Sequence, residues 1–349
     1  MDSMPEMTSL EELLASDVKS NSQTSTAVLV RKDNYRDLVK FGNVTSFSMQ
    51  SALKSCPRKF QLLKMGADTN EDQEREGNVD FAFGHAVGAG VACIDAGGTQ
   101  EEATWEAFLA WNIDLFAEKI GKNNRDPKKA FHHALWALAC YRTFREEETD
   151  LFDYEVVKNE GTIAVDFEDG NFYVGHIDTI LRHKDTGRYK VKENKTTVFS
   201  AVHPALYENS DQALSYAIVL DSLGASEYDV LYTIYSTSEQ RWLSFEFTKT
   251  PRAKAEWVQG QFFLNADIAA YTETNFFPKN GASCYTFNRP CEFFGTCDFN
   301  TGKVFGKRFS ELRRASSLAE IEEVEKIDYA FKVSEILETQ REKTGKNIL

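Results

Sequence analysis

The chain has 349 residues, 42% of them hydrophobic and 27% charged, which is enough for one large globular domain or two modest ones. No apolar run approaches the roughly 20 residues of a membrane helix. The acidic first segment carries no apolar signal sequence, so we expect neither a membrane protein nor an exported one. The net charge of −14 disfavours a general nucleic-acid binder, although six basic residues between Leu181 and Lys195 are compatible with a local basic groove.

The first half of the chain is predicted to be helical. Residues 1–40 lack a sustained apolar period, and we interpret them as a mobile or partner-dependent arm. Beyond them, apolar residues recur at three- and four-residue spacing, the period of an amphipathic helix. The predicted helices cover a segment that Ser46 or Ser48 caps and that runs to Leu63, then 81–94, 101–120 and 128–147. The last two form a helical insertion at about 99–149. The helix over 81–94 is expected to pack tightly, because Ala and Gly dominate one of its faces.

The second half of the chain changes to a strand pattern. Between Tyr154 and Thr197, short alternating runs are separated by Asp-Gly and Thr-Gly turns, which predicts a β-meander. The remaining predicted elements are a helix over about 211–223, the strands YDVLYTIYST and RWLSFEFT, a helix over about 251–272, an irregular cysteine-containing segment over 276–301, and a charged C-terminal helix over 301–349. This order of elements indicates an α/β fold, with its main domain over 41–300.

Two short segments of the meander carry the candidate chemistry, Gly175-His176-Ile177-Asp178 and Glu193-Asn194-Lys195. Side chains alternate along a strand, so Glu193 and Lys195 point to one side, and a hairpin that brings Asp178 alongside gathers two carboxylates and an ammonium. Two carboxylates this close repel unless a cation lies between them, and oxygen ligands suit Mg²⁺ or Mn²⁺. Such a metal polarises a phosphoryl group and activates water, while Lys195 orients that water or stabilises developing charge.

The alternative is a surface ion pair on a hairpin, because a bare D…ExK match is common. Three neighbouring features favour the catalytic interpretation. Gly175 leaves room for a substrate strand, and the hydroxyls of residues 196–197 can reach a phosphate. Gln212 and Tyr216 share one face of the next helix at i and i+4. Taken alone, these last two would be a polar residue at a helix start and a half-buried core tyrosine.

The ordered set GHID, ENKTT and QALSY, preceded by SCPRKF, resembles the RecB-like branch of the PD-(D/E)xK nucleases, which includes AddB-type and CRISPR-adaptation exonucleases and many phage-encoded nucleases. The resemblance spans about 45–300. It implies a restriction-endonuclease-like core, a mixed central sheet flanked by helices, with an N-terminal helical insertion and a C-terminal helical tail. It also implies the roles of the site residues: metal held by Asp178, Glu193 and the Asn194 carbonyl, Lys195 as the catalytic lysine, and Gln212 and Tyr216 as an accessory pair.

The chain departs from this branch at the expected metal-binding histidine. The branch usually has a Gly-x-x-x-His motif on an early helix, but here Gly84 is followed by Gly88 at the histidine position. His85 lies three residues before Gly88, almost one helical turn, so it replaces the missing ligand only if that helix is rotated or shifted. The alternatives are that His85 is a structural or surface residue and that water completes the metal site.

The six cysteines, without a secretory signal, indicate thiols in a reducing compartment rather than disulfides. Four lie in or beside irregular backbone that can bend around a metal centre: Cys56, Cys284, Cys291 and Cys297. Resemblance to the iron–sulfur members of the branch implies a 4Fe–4S cluster on these four, with zinc or unliganded thiols as alternatives. Six residues, rather than the usual two, separate the first two late cysteines. The other two, Cys93 and Cys140, are expected in the core.

These features predict a cytoplasmic deoxyribonuclease of a bacterial or phage-infected cell, acting as an exonuclease on DNA ends or single strands in recombination, repair or replication. The alternatives are a structure-selective endonuclease on the same fold and a non-catalytic DNA-binding scaffold module in a larger complex. The retained Asp178, Glu193 and Lys195 favour an enzyme, whereas the missing histidine and the acidic surface favour a scaffold. The N-terminal arm and the charged C-terminal helix suggest a protein partner.

Overall fold

The computed structural model describes residues 43–64, 78–119, 129–225, 228–286, 289–295, 297 and 328–345. The predicted N-terminal arm and the first part of the predicted C-terminal helix, 301–327, lie outside the described residues. The chain divides into two compact units. The first unit contains Met1–Gln73, Thr162–His176 and Pro251–Leu349, and the second unit contains Glu74–Gly161 and Ile177–Thr250.

The described strands provide a central sheet and two short ladders. In chain order they are β1 (Asn43–Thr45), β2 (Glu118–Lys119), β3 (Lys129–Ala130), β4 (Tyr154–Asp166), β5 (Asn171–His183), β6 (Tyr189–Thr197), β7 (Tyr228–Ser236), β8 (Arg241–Lys249), β9 (Tyr285–Thr286), β10 (Arg289–Pro290) and β11 (Tyr329–Lys332). Seven of them form one sheet in the order β11-β4-β5-β6-β7-β8, with β1 pairing with β5. The pairs β5·β6 and β7·β8 are antiparallel, while β6·β7 and β11·β4 are parallel. The predicted α/β class with a mixed sheet is confirmed.

The described helices flank this sheet. In chain order they are α1 (Phe47–Ser55), α2 (Pro57–Lys64), α3 (Val79–Asp95), α4 (Gln100–Ala110), α5 (Phe131–Glu147), α6 (Ala205–Glu208), α7 (Asp211–Ala217), α8 (Pro251–Thr274) and α9 (Val333–Thr344). Ser46 caps α1, as predicted, by accepting the Met49 backbone N–H. The predicted single helix to Leu63 is two helices, because Pro57 has no N–H to continue the first one and is suited to begin the second.

Two predicted boundaries were wrong for local reasons. The helix predicted over 101–120 ends at Ala110, because Asp114 accepts the Phe116 backbone N–H at 2.9 Å and forms a turn that competes with the helix. The short runs predicted from Tyr154 onward begin with a longer strand, because β4 continues to Asp166 and passes through Glu160 at a positive φ of 51° without a turn.

The predicted C-terminal helical tail is confirmed in α9, but a strand that the sequence did not predict precedes it. The helix expected over 301–349 has its described start only at Val333, after the strand β11. Residues Tyr329, Ala330 and Phe331 of β11 are buried, and they pair in parallel with β4. A buried strand of four residues is too short to show an alternation of polar and apolar residues in the sequence. It forms a strand because it pairs with β4, more than 160 residues earlier in the chain.

Each unit has its own buried core. In the second unit, the Ala- and Gly-rich face of α3 packs closely against α5, as the sequence predicts: a Cβ on Gly90 would lie 2.3 Å from Leu138 Cδ1. In the first unit, Leu53, Phe60 and Ile268 form a cluster with Phe277. Among the described residues, no helix combines the length and the apolar character needed to cross a membrane.

Candidate active site

Strands β5 and β6 bring the three predicted catalytic side chains together. They pair antiparallel, which places Asp178 beside the second half of β6. Asp178 Oδ2 accepts a hydrogen bond from the Asn194 backbone N–H at 2.7 Å. Lys195 donates from Nζ to Glu193 Oε1 at 2.6 Å, on one face of β6 as the side-chain alternation predicts. Two carboxylates and one ammonium therefore meet at one place in the second unit.

These side chains line a cavity of about 690 Å³. The strands contribute Asp178, Glu193, Asn194, Lys195 and Thr196, and the helix α3 contributes a face that includes Phe81, Gly84, His85 and Gly88. Glu160 also lines this cavity, and its positive φ is a strained conformation of the kind that collects at functional sites. The neighbouring Thr197 is not part of the lining, and its hydroxyl oxygen accepts the Phe199 backbone N–H at 3.2 Å.

The Glu193 carboxylate is buried without enough partners for its charge. It is 3% exposed, and its second oxygen, Oε2, has no hydrogen-bond partner among the described residues. Burial, and then the nearby Asp178 carboxylate, raise the pKa of Glu193 to about 8. A buried carboxylate oxygen without a donor, next to a second carboxylate and an open cavity, matches what a divalent cation requires of oxygen ligands.

Asp178 and Lys195 respond to the same burial in different ways. Burial raises the pKa of Asp178, although the Asn194 N–H and the Lys195 ammonium oppose this effect. Burial alone would lower the pKa of Lys195, but the carboxylates of Glu193 and Asp178 outweigh it, so that the pKa is raised. Lys195 is therefore held as a cation beside the two acids.

The position of α3 answers only in part whether His85 can replace the metal-binding histidine that is missing at Gly88. His85 is exposed and lines the cavity, so the helix does place it on the side of the carboxylates. Gly88, which stands at the usual histidine position, lines the same cavity, and a Cβ there would meet no atom of the described residues within 4 Å. Residues three apart on a helix share a face, so both positions are available to a ligand. The metal-binding role of His85 stays a prediction.

The accessory pair lies outside this cavity lining. Gln212 and Tyr216 contact each other on α7, where Gln212 Nε2 donates to the Tyr216 hydroxyl at 3.1 Å. The Tyr216 side chain is only 4% exposed. Their i and i+4 relation is as predicted, neither residue belongs to the cavity lining, and their accessory role stays a prediction.

The four cysteines of the predicted cluster surround a second cavity, in the first unit. Cys56, Cys284, Cys291 and Cys297 all line this space of about 330 Å³. The Asn280 backbone N–H donates to Cys56 Sγ at 3.4 Å. All six cysteines of the chain are described, and each is a free thiol, as expected. Within the described ranges, no three His, Cys, Asp or Glu side chains converge on a point suited to a single metal ion.

The sequence did not predict a buried ion-pair network that joins β6 to α3. Lys192 Nζ is fully buried and contacts Asp95 Oδ2 at the end of α3, the helix that forms one wall of the cavity. Asp95 Oδ1 accepts from the Tyr141 hydroxyl at 2.8 Å and pairs with Arg145 Nε at 3.4 Å. The signal for this network is a lysine in a strand that is central in the sheet, which requires a buried carboxylate partner.

Removing one member of this network is expected to destabilise the protein strongly. The Asp95→Ala substitution leaves Lys192 buried without its carboxylate, which typically costs about 3–5 kcal/mol. Urea unfolding measures the loss. The control is Glu256→Ala, which removes the exposed pair of Glu256 with Arg252 and should cost below about 0.5 kcal/mol. Equal stabilities of the two variants would contradict a stabilising role of the network.

Comparison with known proteins gives a family that covers most of the chain. A family model described as the PD-(D/E)XK nuclease superfamily matches residues 44–298. One solved structure, titled "Crystal structure of SSO0001", is 14% identical and covers 69% of this chain and 76% of its own, at a TM-score of 0.26 that is too low to bear on the site. No curated protein matches the sequence.

Proposed function

Because the chain belongs to the PD-(D/E)XK nuclease superfamily, we propose that it is a Mg²⁺- or Mn²⁺-dependent deoxyribonuclease that acts as an exonuclease on DNA ends or single strands. One observation supports this proposal most directly. The buried Glu193 has an oxygen that no described residue donates to, and it lies next to Asp178 and Lys195 in the lining of an open cavity. A structural ion pair would need no cavity and would leave no buried oxygen unsatisfied.

The proposed roles follow from the hydrogen bonds at the site. Asp178, Glu193 Oε2 and the Asn194 carbonyl would hold the metal, which when bound polarises a phosphoryl oxygen and lowers the pKa of water. Glu193 Oε1 already accepts a hydrogen bond from Lys195, which leaves the second oxygen of Glu193, Oε2, to bind the metal. Lys195 places its ammonium where it orients a water for attack or stabilises the charge that develops on the phosphate. The Asn194 N–H fixes the orientation of Asp178.

Metal binding by this site is expected to depend on pH through Glu193. With a pKa near 8, this side chain carries a proton at pH 7 in the metal-free protein and must release it to a metal. Mn²⁺ affinity should therefore fall about ten-fold per pH unit below pH 8, with close to one proton released per ion. Calorimetric titrations in buffers of different ionisation enthalpy measure both quantities.

The control for this experiment is His85→Ala, because histidines as a class also exchange protons in this pH range. A pH dependence that survives in this variant is assigned to the carboxylates, and an affinity that is constant from pH 6 to 8 in the native protein would contradict the prediction. Without metal, the stability of the folded protein changes with pH in the opposite direction to the metal affinity. The folded chain keeps a proton that the unfolded chain releases near pH 4.5, so stability falls as the pH rises from about 4.5 to 8.

We further propose that Cys56, Cys284, Cys291 and Cys297 hold a 4Fe–4S cluster, with zinc as the alternative. The four thiols line one cavity, and four cysteines are the usual ligand set of a 4Fe–4S cluster. The Asn280 N–H directed at Cys56 Sγ is the kind of donor that stabilises a cluster thiolate. The cluster would tie α2 to the loop that follows α8, and its role would be structural.

We propose DNA as the substrate, the cytoplasm of a bacterial or phage-infected cell as the location, and a protein partner for the N-terminal arm or the C-terminal helix. The mode of cleavage is tested with three substrates: single strands labelled at the 5′ end, single strands labelled at the 3′ end, and circular single strands. An exonuclease degrades the linear strands from one end and leaves the circles intact, while cleaved circles would identify an endonuclease. Binding without cleavage under Mg²⁺ and Mn²⁺ would favour the scaffold alternative, which the glycine at position 88 also favours.

A further inference from the structure

An exposed aromatic ring stands at the wall of the carboxylate cavity. Phe81, in the first turn of α3, is 60% exposed and lines the same cavity as Asp178 and Glu193. The next phenylalanine of this helix, Phe83, is fully buried and packs against Tyr235. Burial of the Phe83 ring therefore contributes to the core, whereas the ring of Phe81 is not buried to a comparable extent.

The helix face beyond Phe81 is open. Gly84 and Gly88 follow on this face at helical spacing, and both line the cavity. Glycine weakens a helix interior, yet no packing requires it here. Among the described residues, a Cβ on Gly88 would meet no atom within 4 Å, and a Cβ on Gly84 would meet only Thr196 Oγ1 at 4.0 Å. Because these two glycines have no side chains, they leave open space between the Phe81 ring and the strand that carries the carboxylates.

Glu193 lines the same cavity, and its Oε2 has no hydrogen-bond partner among the described residues, so the cavity adjoins a carboxylate that still lacks a partner there. We propose that Phe81 stacks on a base of the nucleic-acid strand whose phosphate lies at Asp178 and Glu193, and that this contact makes single-stranded nucleic acid the preferred substrate. The inference rests on the proposed nuclease function and adds the form of its substrate. An exposed ring stacks on any base that has a free face, whereas each base inside a duplex is already stacked on its neighbours.

The test is a binding measurement under conditions without cleavage. Ca²⁺ replaces Mg²⁺, gel analysis confirms that the DNA stays intact, and fluorescence anisotropy gives the affinities for a labelled oligothymidylate and for a blunt hairpin duplex. The variants are Phe81→Ala, Phe81→Leu and Phe81→Trp. Phe152→Ala is the matched control, because Phe152 is 61% exposed in the same unit but is not part of the cavity lining.

We expect Phe81→Ala and Phe81→Leu to weaken single-strand binding by roughly 5- to 150-fold, the range for one stacked base. Phe81→Trp and Phe152→Ala should bind as the native protein does, and duplex binding should not change in any variant. A 2-aminopurine placed along the oligonucleotide should be quenched on binding to the native protein at one position and not on binding to Phe81→Ala. Because Phe81 is largely exposed, all variants should unfold at the native temperature.

Equal single-strand affinities of Phe81→Ala and the native protein, or no single-strand binding by the native protein, would overturn the inference. Its failure is distinguishable from a failure of the nuclease proposal. If the native protein cleaves DNA with Mg²⁺ but Phe81→Ala binds normally, only the stacking contact is refuted. If single-strand binding depends on Phe81 but no metal supports cleavage, the stacking contact stands and the nuclease proposal fails.

Discussion

Replacing Glu193 with glutamine is expected to lower metal-dependent DNA cleavage by at least about 100-fold, the effect typical of removing one group that stabilises a transition state. Glutamine keeps the shape of the side chain but offers a cation only a neutral oxygen. The fold should tolerate the change. With a pKa near 8, Glu193 is largely neutral at pH 7 before metal binds, so glutamine resembles the side chain that the metal-free protein already contains.

Single-turnover cleavage rates and Mn²⁺ titrations of the Glu193→Gln protein measure this effect. The matched control is Glu155→Gln, because Glu155 is also an ion-paired acid on the sheet, bound to Arg182, but it does not line the cavity. The control should cleave and bind metal as the native protein does. A Glu193→Gln protein that keeps native metal affinity and native cleavage would show that this carboxylate is not a ligand.

Replacing Cys291 with alanine is expected to prevent assembly of the proposed iron–sulfur cluster and, through that loss, to destabilise the protein by roughly several kcal/mol. A structural metal centre binds only the folded chain, so its binding free energy adds to the stability. Anaerobically purified native protein should contain about four irons with matching sulfide and should absorb visible light. The Cys291→Ala variant should lack the iron, the sulfide and the visible absorption, and it should unfold at a lower temperature than the native protein.

Cys140→Ala is the matched control for the cluster, because Cys140 is a free thiol on α5 in the second unit and does not line the cysteine cavity. It should keep the iron and the colour. A colourless native protein with one zinc ion would select the zinc alternative. If native protein reconstituted with iron and sulfide binds neither iron nor zinc, and Cys291→Ala unfolds at the native temperature, the four thiols hold no metal.

The central part of the site was predictable because its geometry is local. Asp178, Glu193 and Lys195 lie on the two strands of one hairpin, and the two-residue period of a strand decides which side chains share a face. The position of His85 was harder to predict. Helical spacing places both His85 and Gly88 on the cavity side of α3, so the sequence alone does not decide which position faces a metal.

Contacts between distant segments could not be predicted from the sequence. The partner of Lys192 is Asp95, 97 residues earlier, and nothing in the local pattern around either residue indicates the other. The same reason applies to β11, whose parallel partner β4 lies far away in the chain. The exposed Phe81 was predicted only as part of a packed helix, because a helical period does not distinguish a ring at a cavity wall from a ring in the core.

Cleavage of a linear single-stranded oligonucleotide by native and Lys195→Ala protein, each with Mg²⁺, with Mn²⁺ and without metal, tests the proposed active site most directly. Lys195 is expected to act on the reacting groups and not to bind the metal, so the Lys195→Ala protein should still bind Mn²⁺. We predict products only for the native protein with metal. Products that persist in the Lys195→Ala protein, or metal-bound native protein that leaves every DNA substrate intact, would contradict the assignment of this site as a nuclease centre.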